Sequence, residues 1–376
     1  MRSKIIFQIG AIIMSTFFFA SCKKDHPHFC DGNDSVVTTS KVFATGLNNP
    51  RGLKFGPDGN LYVAEGGIGG TNSSGKCVQV PSPVGPYTGS ITGSRISRID
   101  NDGMRTTWVD NLPSSKNSLG DISGVGDVAF IGHTLYAVIT GAGCSHGVST
   151  IPNGLIKVNP DRTWSAVANL SDYLMANPVK NPEPDDFEPD GDWYSLNYVN
   201  GNFYAVEANH GELVKITPSG NVTRVIDISA TYGHIVPTSQ AFHEGNFYIG
   251  NLDTFPAPHG GSSIYKVTPG GQISVFVKGF NMILGIAFDK WGGLYVLENT
   301  TNSPFPKPGT GDIVRIDPSG SRQIITTGLF LPTGMTFGPD GKLYVSNWGF
   351  GPPALGGGQI LQISFKCDEM RGEEHK

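Results

Sequence analysis

The sequence predicts an all-β protein: a six-bladed β-propeller of four-stranded antiparallel blades, its ring closed by the N-terminal strand. Three observations predict it. One strand pattern recurs six times, turn-forming residues punctuate the chain throughout, and the last unit ends one strand short while a spare strand precedes the first.

The recurring strand has a large apolar residue, then Tyr, then small or β-branched residues. It appears as Leu61-Tyr62-Val63-Ala64, Leu135-Tyr136-Ala137-Val138 and Phe203-Tyr204-Ala205-Val206, and again from Phe247, Leu294 and Leu343. Each copy follows an apolar strand ending in an aromatic (Phe55, Phe130, Tyr198, Phe242, Phe288, Phe337) and a tight turn. Each precedes an alternating strand such as "GELVKIT" or "GDIVRID". After five of these come a turn and a short fourth strand such as "QIITTG". The sixth unit stops at "QILQISF". The segment "SKVFATG", ahead of the first unit, has the pattern of the missing strand and would close the ring, removing exposed edges. The 51 glycines without a collagen period fit many turns between short strands. The opening residues of two blades, "RGLKFGPDGNLYVAE" from Arg51 and "TGMTFGPDGKLYVSN" from Thr333, are then neighbours in the ring.

The first residues, "MRSKIIFQIGAIIMSTFFFASC", combine a positive start (Arg2, Lys4) with a short apolar run and small residues before Cys22. This reads as a signal peptide over residues 1–21 with Cys22 as a bacterial lipidation site, and residues 22–39 as a lipidated polar tether. The propeller is placed at 40–367 and a polar tail at 368–376. The expected location is the bacterial cell envelope, on the extracytoplasmic side, with the chain a lipid-anchored monomer. Four cysteines remain for disulfides in an exported protein. Ring closure favours Cys30 with Cys367; loop placement favours Cys77 with Cys144. A net charge of −5 provides no basic footprint for nucleic acid.

Loop lengths place the function. Connections between strands one and two, and three and four, are short. Those between strands two and three, and between blades, are long and share the opposite face, as in "GGIGGTNSSGKCVQVPSPVGPYTGSITG" and "SDYLMANPVKNPEPDDFEPDGDW". Long loops of this kind bind or cover something. At the long-loop end of each second strand stand Glu65, Ile139, Glu207, Asn251, Glu298 and Asn347. This polar ring suits a ligand's hydroxyls or a cation; equally, it suits structural acceptors for loop amides. With Arg51, Asn209 and His210 it forms the candidate ligand site, with His234 and His259 of lower rank. "DDFEPDGDW" offers Asp186, Glu188 and Asp190 at EF-hand-like spacing, but the chain has Asn197 at the twelfth position and no flanking helices. A looser calcium site stands there as the alternative to a solvated acidic loop; no other cofactor is expected.

The blocks "GLNNPRGLKFGPDGNLYVAEGGIGG", "EPDGDWYSLNYVNGNFYAVEANHGELVKI", "YGHIVPTSQAF", "FYIGNLDTFPAPHGGSSIYKVTPGG" and "LPTGMTFGPDGKLYVSNWG" resemble the ScyD/ScyE family of exported propellers from about Val42 to Ile363. The resemblance implies export and a six-bladed NHL-like ring, with no catalytic set to carry over. The chain departs from that family at "DTFPAP" and "DWYSLNY", both on the long-loop face. Calcium-dependent lactonases of similar fold carry Asn, Asp or Glu four residues before the aromatic of the innermost strand. Here that column reads Arg51, Gly126, Tyr194, Thr238, Leu284 and Thr333. Quinone-dependent sugar dehydrogenases need a His with convergent Arg and Lys, and only Arg51 is found. The favoured function is therefore a binding module for a small molecule, glycan or partner protein on the long-loop face. The alternative is an oxidoreductase or hydrolase acting on an aromatic or sugar-like substrate.

Overall fold

The computed structural model describes residues 35–351 and 356–368. Six sheets surround one axis, each with four antiparallel strands in radial order, to which blade one adds two short strands. Blade one has its innermost strand at Pro50–Phe55 and its second at Leu61–Glu65; the corresponding pairs start at Val125, Trp193, Pro237, Ile283 and Gly334 in the later blades. The last blade is completed by the N-terminal strand Ser35–Leu47, which pairs antiparallel with Gly358–Asp368. This is the expected closure. The pairing starts at Ser35, inside the stretch assigned to the tether.

The Tyr of the repeated strand has a packing reason. In four blades it reaches across to the innermost-strand aromatic of the next blade: Tyr62 to Phe130 at 5.1 Å, Tyr248 to Phe288, Tyr295 to Phe337 and Tyr344 to Phe55 at 4.9 Å each. Tyr136 and Tyr204 meet Phe203 and Phe247 on the next second strand instead. Edge-on aromatic pairs add to the apolar burial. Between the last and first blades, Leu47, Tyr344 and Ile360 pack on Leu53, Val63 and Ile99, so the closing contact is a core like the others.

Two elements differ from the sequence reading. In blade one the third and fourth strands run on as a twelve-residue pair, Thr88–Ile99 and Arg105–Lys116, rising above the ring. Part of the expected loop is thus sheet, and the short strands Asn72–Ser73 and Ile122–Ser123 pair with this extension. The connection from blade two to blade three contains helix α1 (Leu170–Ala176), where the Asn169 side chain accepts the Asp172 amide at 3.0 Å.

Cys77 and Cys144 form a disulfide between the long loops of blades one and two, with Cα atoms 5.8 Å apart. Cys22 and Cys30 lie outside the described residues, as do the signal segment and the tail from 369. Of the Cys30–Cys367 pair only the Cys367 backbone is described, opposite Val36. The Cys77–Cys144 bridge closes 67 residues of chain. Its reduction is expected to lower the unfolding free energy by about 2–4 kcal/mol, measured by urea denaturation with and without reductant.

Candidate functional site

The long loops meet on one face, as expected. Tyr87 of the blade-one loop donates to Glu188 at 2.9 Å, and Ser145 of the blade-two loop donates its amide to Asp190 at 2.8 Å. The Ala257 amide donates to the Pro304 carbonyl at 3.0 Å, joining the loops of blades four and five. Inside the ring lies a cavity of about 30 Å³, lined by Gly52, Lys54, Asp127, Gln240 and Met335 among others, which is space for roughly one or two waters. A sugar-sized ligand does not fit this cavity and would sit at the mouth of the ring instead.

The polar ring at the strand ends does a structural job. Glu65 accepts the Asn48 amide at 2.6 Å, Arg95 Nε at 2.9 Å and the Ser97 hydroxyl. Asn251 accepts the Ser263 amide at 2.7 Å and donates to the Ile235 carbonyl at 2.9 Å. Glu298 accepts the backbone and side-chain amides of Asn281, and Asn347 accepts the Phe330 amide at 2.8 Å. Glu207 accepts four backbone amides, from Asp192, Asn209, His210 and Gly211. All five are buried. Each fastens the chain that enters its own blade, because amides at such a turn have no strand partner.

The other nominated residues separate. Asn209 accepts the Glu188 amide at 2.8 Å and donates to the Asp186 carbonyl. His210 Nε2 lies 2.8 Å from the Glu188 carbonyl oxygen, and burial lowers its pKa. His234 pairs with Asp186 at 2.9 Å, while His259 stands exposed on the blade-four loop. The calcium candidates diverge: Asp186 goes to His234, Glu188 to Tyr87 and Asp190 to Ser145. Among the described residues no three metal-ligating side chains converge.

What does converge is a set that the sequence reading mostly missed. Arg51, half-buried on the innermost strand of blade one, donates to the Ile122 carbonyl and lies near Asp121, Asp192 and Tyr194. Asp121 accepts from Asn117 at 3.3 Å, and Asp192 from the Thr140 hydroxyl at 2.6 Å. Burial raises both carboxylates; Glu188 raises Asp192 further and Asp192 raises Asp121, while Arg51 draws both back down. Behind Asp192 sit Glu188, Tyr87 and His146. The Tyr87 and His146 rings stack at 4.4 Å, and His146 Nε2 is 3.5 Å from Glu188 Oε2, an ionic contact rather than an aligned hydrogen bond. Tyr194 donates to the Thr333 carbonyl at 3.0 Å. It also packs with Val236, Leu252, Met282, Leu284 and Phe350, a buried apolar cluster. The charged set and the apolar set therefore meet at Tyr194. They meet again where Phe350 adjoins Gly351, whose amide helps to hold down the pKa of Asp121.

A further acid was missed by one position. Asp127 is buried in the channel, accepting the Val128 and Leu196 amides at 2.8 and 2.9 Å. Asp127 stands three residues before Phe130, with the ladder regular between them, whereas the column counted four residues back lands on Gly126.

No family model matches the chain, and no curated protein matches it. The fold is similar to several solved propellers. One is a structural-genomics protein of unknown function from Bacteroides thetaiotaomicron (10% identity, TM-score 0.57, covering 88% of this chain and 77% of that one). Another is a gluconolactonase of Xanthomonas campestris (10%, 0.53, 90% and 91%). A third is the PQQ-bound aldose sugar dehydrogenase of Streptomyces coelicolor (14%, 0.51, 90% and 100%). The chain is a six-bladed propeller of the NHL-like kind these structures share. At such identities the likeness shows the fold alone.

Proposed function

We propose that this is an exported, lipid-anchored propeller of the ScyD/ScyE type, a monomer of the bacterial cell envelope that binds a small molecule at its axial mouth. The ordered sequence blocks and the Cys22 signal support the family and the anchor. The observation that carries the binding reading is the join between Arg51, Asp121 and Asp192 and the apolar cluster of Leu252, Met282, Leu284 and Phe350, with Tyr194 in both. Such a mouth suits a molecule with a polar, hydroxyl- or amine-bearing head and an apolar body. A thermal-shift screen of aromatic and sugar-like amphiphiles tests it, since a ligand of the folded state raises apparent stability. Asp192→Asn and Phe350→Ala should each abolish the shift of a genuine ligand. Shifts that survive both would place the ligand elsewhere.

An enzyme built on the same residues is the second reading. It is favoured by the burial that raises Asp121 and Asp192 together, because a carboxyl that holds its proton more tightly is better suited to general acid–base work. The likeness to a gluconolactonase and an aldose sugar dehydrogenase points the assay toward sugar lactones and aldoses. Turnover lost in Asp192→Asn would establish it; no turnover on either class would leave the binding module.

A further inference from the structure

In every blade that has a turn between strands three and four within one chain segment, one turn residue holds a left-handed backbone. In four of the five it is glycine: Gly103, Gly220, Gly271 and Gly320. In three of these the reason is steric as well as conformational. A Cβ on Gly103, Gly220 or Gly271 would lie 2.1, 2.1 or 2.4 Å from a carbonyl oxygen of the preceding blade's outer strand, at Phe43, Val167 or Val225 respectively. The turn of blade two, "NPDRT", breaks the pattern. Arg162 takes the glycine position at φ 67°, a conformation that L side chains rarely hold. A turn that forgoes glycine where its counterparts keep it calls for a reason in the side chain.

The side chain supplies one. The Arg162 guanidinium lies 4.3 Å from the centre of the Trp108 indole on blade one, crossing the seam between the two blades. The outer strand of blade one is irregular here. Its ladder slips three times between Ser90 and Ser97, and Asn111 has φ 57°. Instead of the close blade-to-blade contact found at Phe43, Val167 and Val225, the seam opens into a groove of about 400 Å³. Thr107, Trp108, Asp110, Asn111, Arg162, Thr163 and Trp164 line it. The volume lies in the ~300–1,000 Å³ range of small-molecule sites. The groove is on the flank of the ring, separate from the axial mouth.

We propose that this groove is a saccharide-binding site. Trp164 and Trp108, the latter with Arg162 over its ring, give the groove an apolar wall of the kind on which the C–H-lined face of a pyranose ring packs. Around them the lining offers an acceptor carboxylate in Asp110, donors in Arg162, and groups of both kinds in Asn111, Thr107 and Thr163. A sugar ring carries that same combination, an apolar face and a rim of hydroxyls that donate and accept. A purely apolar ligand would leave the polar lining unpaired. Asp110 and the chain's net charge of −5 argue against a polyanion. Arg162 would hold the Trp108 plane in place and present its remaining N–H groups to the sugar.

The test is titration of the purified full chain with a panel of neutral and uronic-acid-containing oligosaccharides, read by tryptophan fluorescence and ligand-observed NMR. A saturable response is expected. Arg162→Gly restores the residue the other turns use, so its thermal midpoint should hold or rise while saccharide affinity falls about tenfold. Asp110→Ala should weaken binding to a similar degree, and Asp192→Asn, at the axial mouth, should leave it unchanged. Two results would overturn the proposal: no response to any member of the panel, or a response that persists in both Arg162→Gly and Asp110→Ala.

Discussion

Glu207→Ala is expected to lower the unfolding free energy by about 5 kcal/mol, among the largest effects a single substitution produces. Glu207 is fully buried and lies where the chain turns in from α1 toward the innermost strand of blade three. One carboxylate oxygen accepts the Asp192 and Asn209 amides at 2.7 and 3.1 Å, and the other accepts those of His210 and Gly211. Alanine leaves four amides without an acceptor in a place closed to bulk water. Each orphaned group costs about 1–3 kcal/mol, and water entering the new cavity recovers part of the sum. Glu207→Gln keeps the shape and one acceptor oxygen, so about half the loss should return. Urea denaturation measures both variants. A loss below about 1 kcal/mol for alanine would mean the four amides find other partners. Because the first of them belongs to Asp192, ligand binding at the mouth should weaken with stability in the alanine variant.

This residue also shows what the sequence could and could not reveal. The blades were legible because their signals are local: alternating strands, a Tyr at a constant place, turns rich in Gly and Pro, and one strand missing from the last unit. Glu207 was equally legible as a member of a polar ring. Its role was not, because a carboxylate at a strand end looks the same whether it faces a ligand or four backbone amides. The mouth was hidden for a different reason. Tyr87, Asp121, His146 and Asp192 belong to four separate connections, brought together by the Cys77–Cys144 bridge, the raised hairpin of blade one and α1. No periodic pattern links them. Asp127 escaped because it stands one position from the counted column, at a place where the other innermost strands carry Gly52, Ser195, Ser239, Gly285 and Gly334. Arg162, by contrast, stood in plain view as the one turn of five without its glycine; its meaning needed the neighbouring blade.

Stability should fall as pH rises from about 5 to 8, unlike a protein held together by exposed ion pairs. Burial raises Glu207 from 4.5 to about 8, against the pull of its backbone donors. It raises Glu212 from 4.5 to about 7, with Arg224 opposing. Asp312, directly opposite Glu298 on the neighbouring strand, is raised from 3.8 to about 8 by burial and by that second carboxylate. Two histidines move the same way: burial alone would lower them, but Glu188 beside His146 and Asp186 beside His234 outweigh it. Every one of these groups holds its proton more tightly in the folded state. The folded chain therefore carries more protons than the unfolded chain between the ordinary carboxylate values and about 8, and stability declines with pH across that window. His210, lowered by burial, opposes the trend on its own. The lowered carboxylates Asp58 and Asp340 lose their contribution only below 3.8, which sets the acid limit. A tenfold gain in proton affinity on folding is worth about 1.4 kcal/mol, so calorimetry should show a melting temperature lower by roughly 10 °C at pH 8 than at pH 5. A flat or rising curve would mean that these carboxyls ionise in the fold at little cost. Glu207→Gln separates the contributions, because an amide in that place cannot titrate and should flatten the decline at its upper end.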